Sequence, residues 1–366
     1  LIALAGPTAG RCHALILAAV VVSLAGCGDG DSLSGAGGNS GQPAAEGPQR
    51  TVTIAAVGDT MLGSTPTLPP SPETYFAQVE GQLSGDIVFG NLEGTLTEVS
   101  ESPKCGEEST ECFAFRAPPT FAYSLHTAGF TVMNNANNHS YDFGEAGEEE
   151  TVSALRRARI AQSGLPDEIT VVRAHGLRVA FLGFAPYSNT ASLTDLPTAA
   201  ALVKKASRRA DIVVCAIHAG AEGTEAQHLT GEEETYLGED RGNPEEFAHT
   251  AIDAGADLIL GAGPHVLRGM EIYRHRLIAY SLGNFSGFHN FTTEGALGQS
   301  VILHTTLGPA GGFRAGRLTS VQLIEAGQPA PDPSGAGAKL IASLSREDLG
   351  SGAVRVGSGG RLLASR

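Results

Sequence analysis

TVTIAAVGDTMLG, residues 51–63, is the stretch on which the fold turns. An apolar run from Ile54 to Val57 stops at Gly58-Asp59, and the same event recurs along the chain. Ile87–Phe89 precedes Asn91 and Glu93, Phe130–Met133 precedes Asn138-His139, Ile212–Ile217 precedes His218, and Leu258–Leu260 precedes Pro264-His265. Apolar runs this short, bounded by Gly, Asn or Pro and separated by helix-like stretches, read as strands buried on both faces of an α/β sheet. Ligands in such sheets sit beyond the carboxyl ends of the strands, so one rim is expected to gather the polar groups.

Outward from these runs, strand and helix alternate. Strands are predicted at Thr51–Val57, Asp86–Gly90, Phe130–Asn134, Ile169–Arg173, Leu177–Phe184, Asp211–Ile217 and Asp257–Gly261. Helices are predicted at Pro72–Leu83, Pro118–Ala128, Glu145–Ile160, around Ala199–Ala210 and at Pro244–Ala254. Pro near the start, a Gly stop at Gly129, and an acidic first turn answered by Arg156, Arg157 and Arg159 are the local signals. Beyond Met270 the short strands Glu271–Tyr273, Leu277–Ser281, Ser300–Thr306 and Thr319–Ile324 predict a second, antiparallel sheet, followed by a short helix and a last strand at Ala353–Val356.

The 366 residues, 42% of them hydrophobic, suffice for a sizeable core. A net charge of −15 and the absence of Trp argue against a nucleic-acid partner. Near the start, Arg11 precedes an apolar stretch, Ala14 to Ala25, that falls short of the roughly 20 residues a membrane-spanning helix needs. It ends in Leu24-Ala25-Gly26-Cys27, a bacterial lipobox. Residues 1–27 therefore read as a lipoprotein signal peptide with Cys27 as the lipidated residue, which places the protein lipid-anchored on the extracytoplasmic face of the cell membrane. Residues 28–50, rich in Gly, Ser, Asn and Pro, read as a flexible tether, and 51–366 as one domain. Cys215 lies in an apolar strand. Cys105 and Cys112, in a polar loop, are expected to form a disulfide that constrains the unfolded chain by about 2.5 kcal/mol.

Several polar residues at the ends of the runs are candidates for chemistry. Asp59 is placed to bind a cation or to cap a turn. Asn91 and Glu93 share a face if the chain stays extended there. Four Asn between Asn134 and Asn138 lead into His139, which can ligate, or protonate a leaving group with Asp142 setting its orientation. His218 closes an apolar strand with Glu222 one short loop away, and is either a ligand or a satisfied buried histidine; His265 mirrors it. His126, His175, His249, His275 and His304 read as surface or packing residues, while His228 and His289 stay open.

GDTMLG (58–63), GNLEG (90–94), ANNHSYDFG (136–144), HAGAE (218–222), PHV (264–266) and YSLGNF (280–285) occur together and in order. The set resembles the CapA family, the bacterial poly-gamma-glutamate capsule biosynthesis proteins related in fold to calcineurin-like metallophosphoesterases. The resemblance implies a four-layer α/β/β/α sandwich of metallophosphoesterase type with the motif loops on one cleft. It implies a divalent metal (manganese, zinc or iron) held among Asp59, Asn91, Glu93, Asn138, His218 and His265, with His139 and Asp142 as the catalytic pair and Glu222, Arg268 and Asn284 shaping the cleft. Met61 stands where the phosphoesterases carry a His, Ala262 and Gly263 precede Pro264-His265 in place of a further His, and Ala219 follows His218. The loss of two imidazoles implies one tight metal position at most, or none.

Three functions follow from this pattern. One is assembly of an anionic cell-surface polymer, alone or with its synthesis machinery; the others are metal-dependent hydrolysis of a phosphoester or gamma-glutamyl amide, and polymer binding by a decayed site. A chain of net charge −15 repels an anionic polymer unless a metal or arginines such as Arg116, Arg241 and Arg268 offset it, over a screening distance of roughly 8 Å.

Overall fold

A computed structural model describes residues 50–105 and 112–363. The signal segment 1–27 with Cys27, and the tether 28–50 apart from Arg50, lie outside the described residues.

Alternation along each central strand explains why the runs read as continuously apolar. In Val52–Met61, Ile54 and Ala56 face one side while Ala55 and Val57 face the other, and both sides are buried. This strand pairs in parallel with Ile87–Leu92, which pairs with Val132–Asn134, which in turn pairs with Ala161–Ser163. A second sheet runs Met270–Tyr273, Arg276–Ala279, Leu258–Ala262, Ile212–His218, Leu177–Ala185, Thr170–Ala174. Ile54, Phe89 and Val132 of the first sheet meet Phe181, Val214 and Leu260 of the second in one core, and the Phe89 and Phe181 rings stack at 5.8 Å. Burying such side chains contributes roughly 1.5–3 kcal/mol apiece.

Helices cover the outer faces. Helices α1 (Ala122–Thr127) and α2 (Gly144–Arg157) place Leu125 and Leu155 against Val57 and Val88. On the second sheet, α3 (Leu196–Ser207) and α4 (Pro244–Ala254) place Val203 and Phe247 against Leu182 and Ile217. The α/β/β/α sandwich that the resemblance implied is therefore the observed architecture. Asn243 caps α4 by accepting from the N–H groups of Glu245 and Glu246, and Gly255 ends it in the left-handed region. Helix α5 (Ala336–Asp348) inserts Ile341 into the core between the sheets.

Two expectations are corrected. Pro72–Leu83 is not an α-helix but two 3-10 turns, Pro72–Thr74 and Glu80–Gln82. The packing explains this: adjacent residues Tyr75 and Phe76 are both buried, and Tyr75 donates its hydroxyl to the Gly327 carbonyl at 2.8 Å. Tertiary contacts of this kind override local helix propensity. The late strands also do not build a sheet of their own. Met270–Tyr273 and Arg276–Ala279 extend the second sheet, whereas Gln299–Leu307 returns to pair antiparallel with Val52–Ala56 and brings Phe313–Ile324 with it. Val301, Leu303 and Leu307 alternate into the shared core, so the free edge of the first strand is where they bury best.

The Cys105–Cys112 disulfide is formed, with Cα atoms 5.6 Å apart. Cys215 is a buried free thiol.

Gly58 packs against the carbonyl of Gly283, which also accepts the Asp59 N–H at 3.0 Å, and a Cβ there would collide with that oxygen. Gly58→Ala is expected to cost about 1–3 kcal/mol or more through backbone displacement. Gly81→Ala, where nothing lies within 4 Å of a new Cβ, should stay within about 0.5 kcal/mol of the parent in urea melts.

Candidate metal centre and cleft

Register assembles the centre. Asp59 pairs across the first sheet with Asn91 on one side and Asn284 on the other, and Asn91 pairs with Asn134, so four polar side chains stand in one row. The Asp59 carboxylate is fully buried. Its Oδ1 accepts from Asn91 Nδ2 at 2.8 Å, and its Oδ2 accepts the Gly263 N–H at 3.2 Å. Asn91 Oδ1 in turn accepts from Asn134 Nδ2 at 2.8 Å. From the second sheet His218 brings Nδ1 to 3.3 Å from Asn91 Nδ2 and 3.8 Å from Asp59 Oδ1. Asn91 is the donor, so His218 accepts at Nδ1 and carries its proton at Nε2.

His265 reaches the same carboxylate from the loop after Leu258–Ala262. Its φ of 60° is uncommon for a residue with a Cβ and is held by its contacts. Nδ1 lies 2.9 Å from Asn284 Oδ1 and 3.3 Å from Asp59 Oδ2, while Nε2 lies 3.5 Å from Glu93 Oε1 and 3.6 Å from Glu222 Oε2. Asn284 Nδ2 donates to the Leu297 carbonyl, which turns its oxygen toward His265 and puts the imidazole proton on Nδ1. Asp59, Glu93 and His265 each offer a ligand atom, all within 4.8 Å of one another.

The charges at this centre are not balanced by its own hydrogen bonds. Glu93 is 1% exposed, and neither of its carboxylate oxygens has a hydrogen-bond partner among the described residues; the same holds for His218 Nε2 and Asn138 Oδ1. Burial, with Asp59 and Glu222 adding repulsion, pushes the Glu93 carboxyl well above its ordinary range. Burial acts the same way on Asp59, but His265 and His218 outweigh it and hold that carboxyl low. Burial would depress His265, yet Glu93, Asp59 and Glu222 raise it to about 10. Burial takes His218 down to about 3, so its ring is neutral. An orphaned buried carboxylate costs several kcal/mol unless a cation answers it. Two carboxylates and an imidazole are a donor set that suits manganese, zinc or iron, so these residues fit one divalent ion.

His139 stands across the cleft. Asn137 fixes the turn before it by accepting the His139 N–H at 3.0 Å and donating to the Leu92 carbonyl at 2.8 Å. His139 Nδ1 lies 2.8 Å from Asp142 Oδ2, and Asp142 also accepts from Lys104 Nζ at 2.6 Å and from the Phe115 N–H at 2.7 Å. With Nδ1 committed to Asp142, Nε2 is the nitrogen free for proton transfer. Burial lowers the imidazole's pKa, with Asp142 opposing the shift.

Two adjoining cavities make the cleft. One, of 500 Å³, is lined by Glu93, His265, Asn284 and Phe291; the other, of 640 Å³, by Lys104, Asn138, Asn189 and Arg241; both are lined by Phe113, His139, Glu222 and Tyr236. Arg268 shapes the cleft only from behind. It is fully buried, pairs with Glu234 through two hydrogen bonds of 2.8 and 2.7 Å, and donates to the Ala226 carbonyl, bracing the loop that carries Glu222. Its donors are engaged there and it faces no ligand. Lys104 and Phe115 are not legible as site residues in the sequence, whereas Asn137 belongs to the Asn-rich run that leads into His139. Lys104 sits beside Cys105 and read as part of the cysteine loop, and its bond to Asp142 exists only once that loop folds over α2's first turn.

Residues 53–287 match the family described as bacterial capsule synthesis protein PGA_cap. The chain belongs to this family. Two capsule-family relatives are the capsule biosynthesis protein CapA of Bacillus anthracis, 30% identical over 260 residues, and the PGA biosynthesis protein CapA of Bacillus subtilis (strain 168), 28% identical over 255 residues. The matches cover 64% of this chain and 59% and 63% of those relatives, so the chain spans about three fifths of their length. Among solved structures, a 5'-nucleotidase precursor from Thermus thermophilus superposes with a TM-score of 0.41 at 14% identity, over 81% of this chain and 59% of that one.

In this capsule-family cleft Asp142 holds the His139 pKa up against burial. Asp142→Asn should therefore move it further down, lowering the ring's proton affinity about tenfold or more for loss of an adjacent charge. Histidine ring resonances followed by NMR through a pH titration check this; an upward or absent shift means that Asp142 does not govern the ring.

Proposed function

We propose that the chain works in the assembly of an anionic capsule polymer, poly-gamma-glutamate or a related acidic chain, and that its cleft handles that polymer with one divalent cation. The observation that carries this reading is the buried, unpartnered Glu93 carboxylate beside Asp59 and His265. Family membership supplies the polymer context, and the lipobox ending at Cys27 supports a lipid anchor at the extracytoplasmic face. No helix among the described residues is long and apolar enough to cross a membrane.

Asp59, Glu93 and His265 would hold the ion, while Asn138, whose Oδ1 is also unpartnered, lines the adjoining cavity. When bound, the ion would supply Lewis acidity toward a carbonyl or phosphoryl oxygen and lower the pKa of a bound water. The chain's own residues do the rest. Asn284 fixes the His265 tautomer, Asn91 and Gly263 fix the Asp59 carboxylate, and Asp142 orients His139 so that Nε2 can give or take a proton at the substrate. The His139–Asp142 pair favours a hydrolytic step, on a gamma-glutamyl amide or a phosphoester, over passive binding.

Metal analysis of the native protein is expected to find about one equivalent of divalent metal, lost in Asp59→Asn, as the donor count implies. Glu93→Gln removes a ligand of the ion, so it should abolish the stabilisation by added metal. A metal-free native protein, or unchanged metal response in both variants, would sink the reading of the centre. Complementing a gene deletion with His139→Ala then separates catalysis from binding: loss of surface polymer with metal content intact assigns His139 to chemistry, and normal polymer leaves the cleft a binding site.

A further inference from the structure

The two ends of the sandwich differ in charge. The parallel strands carry their last residues to the cleft and start together at the opposite end, where α3 finishes. Lys204 and Lys205 lie in the last turn of α3, Arg208 and Arg209 follow it, and all four are exposed. In the antiparallel pair Thr170–Ala174 and Leu177–Ala185, exposed Arg173 stands directly opposite Arg178. Arg50 extends over Gly176 in the turn between those strands, its Nη1 3.5 Å from where a Cβ there would lie.

A helix dipole accounts for cations at the end of α3. It does not account for two arginines face to face across a strand pair, where like charges are destabilising. Nor do these cations answer nearby carboxylates. Asp211 pairs with Arg178 at 3.0 Å, Asp253 with Arg274 at 3.1 Å, Asp257 with Arg276 at 2.8 Å and Asp86 with His175 at 2.6 Å, so each has a partner of its own. Arg173, Lys204, Lys205, Arg208 and Arg209 make no ion pair among the described residues. In a chain of net charge −15, cations gathered in surplus on one end repel one another and suit an anionic surface outside the molecule.

We propose that this end is a membrane-docking face, which takes the anionic headgroups of a phospholipid bilayer and turns the cleft away from it. The point where the chain enters the domain favours a bilayer over a soluble anion, because the segment from Cys27 joins at Arg50, inside the basic patch. That argument rests on the reading of Cys27 as a lipid anchor. The magnitudes agree with it. Strand Val52–Met61 has 10 residues, roughly 33 Å from the basic end to the cleft, whereas screening confines charge effects to roughly 8 Å. Glu222 and Glu239 at the cleft therefore do not repel a surface that touches the other end. Approached cleft first, the same bilayer would meet those carboxylates.

The test is sedimentation of the full chain, made without lipidation, with vesicles of phosphatidylcholine alone or mixed with phosphatidylglycerol at about 2:1. The apolar stretch Ala14 to Ala25 is common to every variant, so the ratio between the two compositions isolates headgroup charge. Wild type should prefer the anionic vesicles about tenfold or more at low salt and lose the preference at high salt. Arg173→Glu with Arg208→Glu should cut the preference about tenfold or more. It should melt no lower than the parent, because the first change sets opposite charges across the strands. Lys339→Glu with Arg346→Glu makes the same change in net charge at exposed positions of α5 and should keep the preference. If the first double variant does not fold by thermal melt, Lys204→Gln with Lys205→Gln takes its place in the comparison. No preference in wild type, or equal loss in the patch and α5 variants, overturns the docking face. Displacement of bound vesicles by soluble poly-gamma-glutamate at matched charge assigns the patch to a polymer and overturns the membrane. Mass analysis of Cys27 in the native protein tests the anchor separately: an unmodified thiol sinks the anchor reading and leaves the vesicle result to decide the face.

Discussion

The Asp59 carboxylate is the seam on which the cleft depends. It belongs to the first sheet, takes one hydrogen bond from Asn91 on the neighbouring strand, and takes another from Gly263 in the loop that leaves the second sheet. A carboxylate with no exposure keeps its charge only while such donors and a nearby cation remain in place. Sliding the sheets apart at this rim would orphan it, so the electrostatic cost locks two sheets that elsewhere meet through non-directional apolar packing. The lock also constrains the loop: His265 is held at positive φ so that its ring lies between Asp59 and Glu93.

Much of this was legible in the sequence because the strands are short and buried on both faces. Each apolar run became a strand or its lead-in, and the polar residue at its end arrived at the cleft. Asp59, Glu93, His139, His218 and His265 do converge, and the late pairing of Asn284 with Asp59 places YSLGNF at the same rim. What the sequence could not convey was partnership. A run such as Ile54–Val57 looks the same whichever sheet it joins, so the expectation of a separate antiparallel sheet beyond Met270 failed when Gln299–Leu307 turned back to the edge of the first strand. Pro72–Leu83 carried good helix-start signals, and tertiary burial of Tyr75 beside Phe76 overrode them. Arg268 read as a cleft residue able to offset the charge of an anionic polymer, while its distance in sequence from Glu234 hid the pair that consumes it.

The bulk charge of −15 and the anionic ligand proposed for the cleft are reconciled locally rather than globally. Lys104 is bound to Asp142 and Arg268 to Glu234, so neither is open to a ligand. Arg241 is paired too, but incompletely. In a cleft this shallow in positive charge, selectivity falls to a few desolvated groups, because surface charges beyond a Debye length of roughly 8 Å are screened while buried ones are not.

The distribution of donors and acceptors favours the Glu93 side of the centre for the ion proposed above. On the His218 side several polar atoms are already engaged: Asn91 Nδ2 serves Asp59 Oδ1 and approaches His218 Nδ1, and Asn91 Oδ1 is taken by Asn134, while His218 Nε2 and Asn134 Oδ1 have no partner among the described residues. Inserting a cation there would break hydrogen bonds already made, and Met61, where the resemblance places an imidazole in other proteins, offers only a thioether that contacts Asn290. On the Glu93 side nothing has to be broken, since both carboxylate oxygens are unpartnered and His265 Nε2 faces them. An ion held on that side would take the place of the His265 Nε2 proton and would offset the burial cost of Glu93. The asymmetry lies in the chain's own hydrogen bonds, so it persists whichever divalent metal is supplied.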